Sequence, residues 1–152
     1  MTDESTATPP RTRAGYHYWT TVSIRYCDQD PIGHINNTAM AAYIEQARVA
    51  LLYPLLRDVA GPHYELVIAR LVIEYLKELS FPGNVEVGTR IARIGSKSFV
   101  LHHGIFKADE DTCAGTAECI MVFFDTRRRQ SILPPPEIRS VMEDFIRHQP
   151  AR

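Results

Sequence analysis

The chain has 152 residues, 45% of them hydrophobic and 23% charged, with a formal net charge of −1 at pH 7. That length and apolar content suit one globular domain with its own core, and the near-neutral charge excludes the basic footprint of a nucleic-acid binder. No apolar run approaches a membrane span and no hydrophobic signal core opens the sequence, so the expected location is the cytoplasm.

Residues 1–15 are rich in Thr, Ser, Ala, Pro and Arg without apolar periodicity and are expected to form an unordered tail, leaving 16–152 as a single domain. Tyr16 to Tyr26 carries aromatic and β-branched residues, among them Tyr18, Trp19, Val22 and Ile24, and predicts a first strand. It leads into Asp28-Gln29-Asp30-Pro31-Ile32-Gly33-His34-Ile35-Asn36-Asn37. Pro31 fixes its own φ and biases Asp30 toward extended backbone, while Gly33 accepts a positive φ, so the chain turns here with both aspartates at a strand rim. Asn36 and Asn37 stand where an N-cap is wanted, which starts a helix at about Asn37. Its first turn offers unpaired N–H donors and the positive end of the macrodipole.

Thr38 to Tyr53 has only Glu45, Gln46 and Arg48 as strongly polar positions. A helix apolar round nearly its whole circumference is expected to be buried on several sides, and Pro54 is expected to end or kink it. From Tyr64 the period changes to two, with Val67, Ala69, Leu71, Ile73 and Tyr75 on one face and Arg70, Glu74 and Glu78 on the other. Phe81-Pro82-Gly83-Asn84 is a turn by composition, and strands follow from Val85 to Ile91, Phe99 to Ile105 and Thr112 to Phe124. The cysteines have no metal-type spacing; Cys113 and Cys119 share a parity and are expected to point inward as small apolar residues. Pro134-Pro135-Pro136 breaks the sheet, and Ile138, Val141, Met142, Phe145 and Ile146 predict a short C-terminal helix. The order is α+β, and an enclosed helix beside one antiparallel sheet is best satisfied if the sheet wraps it. Spacing alone equally allows another α+β roll.

The Asp28–Asn37 run, with Tyr43, Glu45, Ala47 and Arg48 behind it, resembles the signature of hotdog-fold acyl-CoA thioesterases of the 4-hydroxybenzoyl-CoA thioesterase type. The resemblance continues at Ile73-Glu74-Tyr75-Leu76 and through Phe81-Pro82-Gly83-Asn84-Val85-Glu86-Val87. It implies a five-stranded antiparallel sheet wrapped around a long central helix, and hydrolysis of an acyl-CoA to free acid and CoA. It also implies a homodimer or homotetramer with the site between subunits. No cofactor is implied beyond the coenzyme A of the substrate. Met40 departs from the pattern, which usually has Tyr there.

The resemblance makes Asp30 the catalytic carboxylate, as nucleophile or general base, and the Asn37 backbone N–H the oxyanion donor. The competing reading of Asp30 is a turn residue bonding its own backbone, and that of Asn36 and Asn37 is capping alone. A free Asp with pKa of about 3.9 is a feeble base, so an apolar acyl pocket has to strip its water. The thiol leaving group lightens the task, since its pKa of about 8.5 lets it depart without a dedicated acid. That suits a chain with no G-x-S-x-G elbow.

His34 either bonds a substrate carbonyl or steadies the loop. Asn36, Met40 and Tyr43 are substrate-side candidates, Tyr43 with core as its competing role. Asp28 is expected to accept loop N–H bonds with Arg25 as partner, and Glu45 to pair with Arg48 while standing in reserve as a carboxylate. Arg127 and Arg128, after the last strand, are candidates for the CoA phosphates.

Two rival functions are distinguishable. Asp28-x-Asp30 with Gly33 copies the opening of a calcium loop, but Ile32 and Ala39 stand where ligands belong. A non-hydrolytic acyl-thioester binder or a dehydratase on the same fold is the alternative, and it would depend on a working His in place of Asp30.

Overall fold

The computed structural model describes residues 7–57 and 61–148. The elements in chain order are β1 (Tyr18–Ser23), α1 (Asn37–Leu56), β2 (Tyr64–Tyr75), β3 (Asn84–Ile94), β4 (Ser98–Lys107), β5 (Cys113–Asp125), β6 (Gln130–Ser131) and α2 (Pro136–Arg147). One antiparallel sheet runs β1-β3-β4-β5-β2, and the two-residue β6 adds to β5. All five expected strands are present, and the sheet curls around α1 in the hotdog arrangement.

The reason is the parity of the strands. Val85, Val87 and Ile91 of β3, Phe99, Leu101 and Ile105 of β4, and Ala117, Cys119, Met121 and Phe123 of β5 form one buried cluster with Met40, Tyr43, Ile44, Ala47, Leu52 and Leu56 of α1. Each large apolar side chain so buried contributes about 1.5–3 kcal/mol. These residues hold α1, and hence its N-terminus, at a fixed height over the sheet.

Three expectations about these elements are corrected. The outer side of α1 is open: Val49 and Tyr53 are 49% and 66% exposed, so within one chain the helix is covered on one side only. Pro54 lies inside the last turn and does not stop the helix, because it forfeits only its own rung while Arg57 N–H still reaches the Tyr53 carbonyl at 3.0 Å. In β2 the register slips between Ile68 and Arg70. Leu66 and Ile68 therefore share the inward face with Leu71, Ile73 and Tyr75, Val67 turns outward opposite Val122, and Ala69 is the extra residue of a bulge.

The tail expectation is corrected too, for residues 7–15; residues 1–6 lie outside the described residues. Arg13–Gly15 form a 3₁₀ turn, and this stretch lies across the outer face of the sheet as a strap. The Arg13 guanidinium stacks over Trp19 at 5.0 Å and Phe106 at 4.9 Å and pairs with Glu86 at 2.7 Å. The Tyr16 ring lies on the paired Gly88 and Gly104, and its hydroxyl donates to the Pro10 carbonyl. Two aromatics and one arginine supply what composition alone hides: few contacts, each large.

Adding a Cβ at Gly104 would bring it to 2.5 Å from the Tyr16 ring, so Gly104→Ala is expected to destabilise the protein by about 1–3 kcal/mol in urea melts. The same change is expected to cost much less in a Tyr16→Ala background, and additive costs in the double mutant would refute the contact.

His103 faces α1 from β4, fully buried, with Nδ1 2.9 Å from the Thr89 hydroxyl. Burial first, then the charge of Arg48, push it down to about 3, so it folds neutral. On the opposite face burial, and then Arg90, also hold His102 below its usual value despite Glu118. The unfolded chain binds a proton at His103 below about pH 6.5 while the folded one does not until about pH 3, so stability falls as pH drops through that window, and His102, also held low, adds to the loss in the same direction. Urea melts between pH 7.5 and 5 are expected to show this loss, at up to about 1.4 kcal/mol per pH unit per histidine. His103→Gln is expected to remove about one proton's worth of the slope.

Candidate active site

Between β1 and α1 the chain makes two nested turns. The first, Tyr26–Asp28, is a 3₁₀ turn closed by Asp28, which is 3% exposed. Its Oδ2 accepts from the Arg25 N–H at 2.8 Å and the Tyr43 hydroxyl at 2.7 Å; its Oδ1 accepts from Arg25 Nε at 3.0 Å and Nη2 at 2.7 Å. Burial pushes this carboxyl up, but the bonds from Arg25 and Tyr43 outweigh it and hold it below the usual carboxylate range. Asp28 is thus the loop's anchor, as expected, and with both oxygens taken it is not a free metal ligand. Among the described residues no three His, Cys, Asp or Glu side chains gather as a metal site.

The second turn belongs to Asp30. Its N–H reaches the His34 carbonyl at 2.7 Å, Gly33 takes φ 86°, and its Oδ1 accepts from the N–H groups of Ile32 and His34, both at 3.0 Å. The competing reading of Asp30 as a turn carboxylate is therefore correct for one oxygen. Oδ2 carries no such bond among the described residues. The loop is stitched to the next by Ile35 N–H to the Leu79 carbonyl at 2.8 Å.

The α1 N-terminus follows at once. Asn36 caps it: Oδ1 accepts from Thr38 N–H at 2.8 Å and Thr38 Oγ1 at 2.7 Å, while the Asn36 carbonyl takes the N–H groups of Ala39 and Met40. That accounts for every donor of the first turn except one. The Asn37 N–H has no acceptor among the described residues.

Asp30, His34, Asn37 and Met40 line one crevice of about 280 Å³ together with Ile35 and the stretch Tyr75–Leu79. His34 Nε2 lies 3.2 Å from Glu78 on its lip, and the Tyr75 hydroxyl donates to the Asn37 carbonyl at 3.3 Å, tying the end of β2 to the start of α1. Met40 is buried, with its methyl against Gly115 at the floor.

Other candidates fall elsewhere. Tyr43 is 2% exposed with its hydroxyl on Asp28, so it supports the loop from within the core and does not line the crevice. Asn36 is engaged as the cap. Glu45 pairs with Arg48 at 3.4 Å and borders a different groove, of about 430 Å³, between α1 and the middle of β2. Arg127 and Arg128 donate their N–H groups to Asp125 Oδ1, both at 2.8 Å, in the turn after β5. Asp125 pairs with Tyr64, whereas the crevice sits at the Tyr75 end of β2, about 36 Å along the strand. In one chain these arginines are therefore remote from Asp30. A wider groove, about 840 Å³, also lies at the Tyr64 end, between Leu52, Tyr53, Leu56 and β2. Tyr75, Lys77 and Glu78 were missed as site residues, although the resemblance extended to Ile73–Leu76; the signal was a strand end whose antiparallel return brings it beside the α1 start.

The fold places the chain among hotdog proteins. It belongs to the Thioesterase-like superfamily, whose family model matches residues 24–142. The PA2801 protein of Pseudomonas aeruginosa is 29% identical, with a TM-score of 0.76 over 84% of this chain and 98% of that one. A thioesterase from Thermus thermophilus, complexed with coenzyme A and Zn, shares the fold at 24% identity and a TM-score of 0.75, covering 88% of this chain and 96% of that one. YsmA of Bacillus subtilis (strain 168) is 23% identical over 91 residues, which are 60% of this chain and 62% of that relative.

Tyr43→Phe removes one of the four bonds to a buried carboxylate. It is expected to cost about 1.5–3 kcal/mol in urea melts at pH 7, the range for hydrogen bonds to charged groups. The acid-unfolding midpoint is expected to rise with it, because the folded Asp28 loses part of what keeps its carboxyl low and stability then disappears at a higher pH.

Proposed function

We propose that the protein is an acyl-CoA thioesterase of the 4-hydroxybenzoyl-CoA thioesterase type, releasing free acid and CoA, and acting in the cytoplasm. The observation that carries this reading is the pairing, in one crevice, of the Asp30 carboxyl with the Asn37 N–H, the one donor of the α1 start without an acceptor among the described residues. The thioester carbonyl oxygen lies against that N–H, where the helix end favours the negative charge that develops on attack. Asp30 Oδ2 either adds to the carbonyl carbon, forming an anhydride that water then opens, or takes a proton from the attacking water. In both routes the carbon–sulfur bond breaks and CoA leaves as a thiolate. Oδ1 meanwhile keeps the turn closed. Met40 and Tyr75 bound the acyl end, and no cofactor takes part.

A second copy of the chain completes the site in this reading. Ile68, Leu71, Val72 and Tyr75 on edge strand β2 are each between 37% and 47% exposed, and the outer side of α1 is open beside them. Antiparallel pairing of two β2 edges covers both and sets the Tyr64 end of one chain beside the crevice of the other. That arrangement also excludes water from Asp30 and brings Arg127 and Arg128 of the partner subunit toward the mouth of the crevice.

The decisive comparison is Asp30→Asn against Asp30→Ala, assayed for thiol release over aromatic and aliphatic acyl-CoAs. Asn keeps an acceptor for Ile32 and His34, so Asp30→Asn is expected to lose at least ~100-fold in kcat with Tm within ~2 °C of wild type. Asp30→Ala is expected to lose activity and about 1–2 kcal/mol of stability as well. Near-normal turnover by Asp30→Asn would end the proposal, and loss of turnover at His34→Ala alone would favour dehydratase-type chemistry.

A further inference from the structure

We propose that the lip of the crevice carries an adenine platform, made of Tyr26 and Phe81 with Arg25 beside it, on which the nucleotide end of coenzyme A rests. The inference depends on the acyl-CoA reading for its ligand but concerns residues that play no part in cleavage. A crevice of about 280 Å³ holds the thioester and a small acyl end, not a whole acyl-CoA, so the nucleotide has to lie outside it.

Two lips are available. One holds Lys77 and Glu78, with Glu78 committed to His34 at 3.2 Å. The other side is flanked by the two stitched loops, with Phe81 two residues beyond the lining Leu79 and Tyr26 four residues before the lining Asp30. There Tyr26 is 77% exposed and Phe81 38%, with ring centroids 5.7 Å apart and planes at 88°. Ile32, 76% exposed, adds to the patch. The two rings meet edge to face, and with 77% of Tyr26 exposed its ring offers solvent the kind of flat surface a purine stacks on.

Charge and reach agree. Arg25 bonds Asp28 through Nε and Nη2, yet its side chain is 67% exposed, so part of a guanidinium held by a buried carboxylate reaches solvent one residue from Tyr26. A fixed guanidinium is well suited to phosphate. Tyr26 and Asp30 are four residues apart, at most about 14 Å along the chain, which an extended pantetheine diphosphate arm bridges. Ile24 N–H to the Gly83 carbonyl at 2.9 Å and Ile35 N–H to the Leu79 carbonyl at 2.8 Å keep the platform and the crevice in one rigid frame.

The test compares one acyl group carried on coenzyme A and on pantetheine, which lacks the nucleotide. Tyr26→Ala is expected to raise KM for the acyl-CoA by about 5–20-fold, the lower part of what stacking on an aromatic provides, with kcat within twofold and KM for the acyl-pantetheine unchanged. Tyr26→Phe, which keeps the ring, is expected to behave as wild type. An unchanged KM ratio, or an equal rise for both substrates, would overturn the platform and leave the patch as a subunit contact. If the wild-type enzyme cleaves neither thioester, the acyl-CoA reading fails on its own, and calorimetry with adenosine 3′,5′-bisphosphate then decides. Binding lost in Tyr26→Ala supports the platform, and no binding by wild type overturns it.

Discussion

A buried carboxylate holds this site together. Asp28 is out of contact with water, and an unpaired anion there would be intolerable, so its four bonds are a condition of folding. They join three pieces of chain: the exit of β1 through Arg25, the turn itself, and the interior of α1 through Tyr43. Because Asn36 N–H also bonds the Asp28 carbonyl at 2.8 Å, the cap of α1 hangs from the same residue. The Asp30 turn is suspended between these fixed points. The positions of the Asp30 carboxyl and the Asn37 amide are thus set by a neighbour whose own oxygens are both bonded.

The two aspartates show how environment divides one residue type between two tasks. They are two positions apart in one loop. Asp28 spends both oxygens on a guanidinium, an amide and a phenol, which fixes it as an anion and removes it from any reaction. Asp30 spends one oxygen on its turn and turns toward a crevice. A carboxylate that must act needs a free lone pair and partial desolvation together, and only the second position offers both.

How much of this was legible depends on the range of the interactions concerned. The turn at Pro31-Gly33, the cap at Asn36 and the alternation of Val85 to Ile91 and of Phe99 to Ile105 are decided within a few residues, and all of them stand in the structure as the sequence indicates. The β2 bulge was not legible, since Ala69 looks like any small residue in an alternating strand until β5 is beside it. The strap failed for a different reason. Composition counts residues, whereas Arg13 and Tyr16 act through large single contacts with Trp19, Phe106 and a pair of glycines brought together only by the β3–β4 register. Arg127 and Arg128 were legible as cations but not as remote ones; that needs the length of β2.

The openness of α1 carries the final step. A helix with so few polar positions is expected to be enclosed, yet Val49 and Tyr53 meet solvent. Its apolar residues are spread almost evenly around the axis, so no side of it is marked in advance as the one the sheet leaves uncovered. The same seam runs past Glu45, Arg48 and edge strand β2 to the crevice itself. Apolar surface left on the helix and hydrogen-bonding edge left on the strand are therefore one continuous strip, with Asp30 at one end of it. In the proposed pairing of two β2 edges, covering the strip would bury its apolar side chains and lower the dielectric around the Asp30 carboxyl together, so the proposed assembly and the proposed chemistry would be coupled through the same surface.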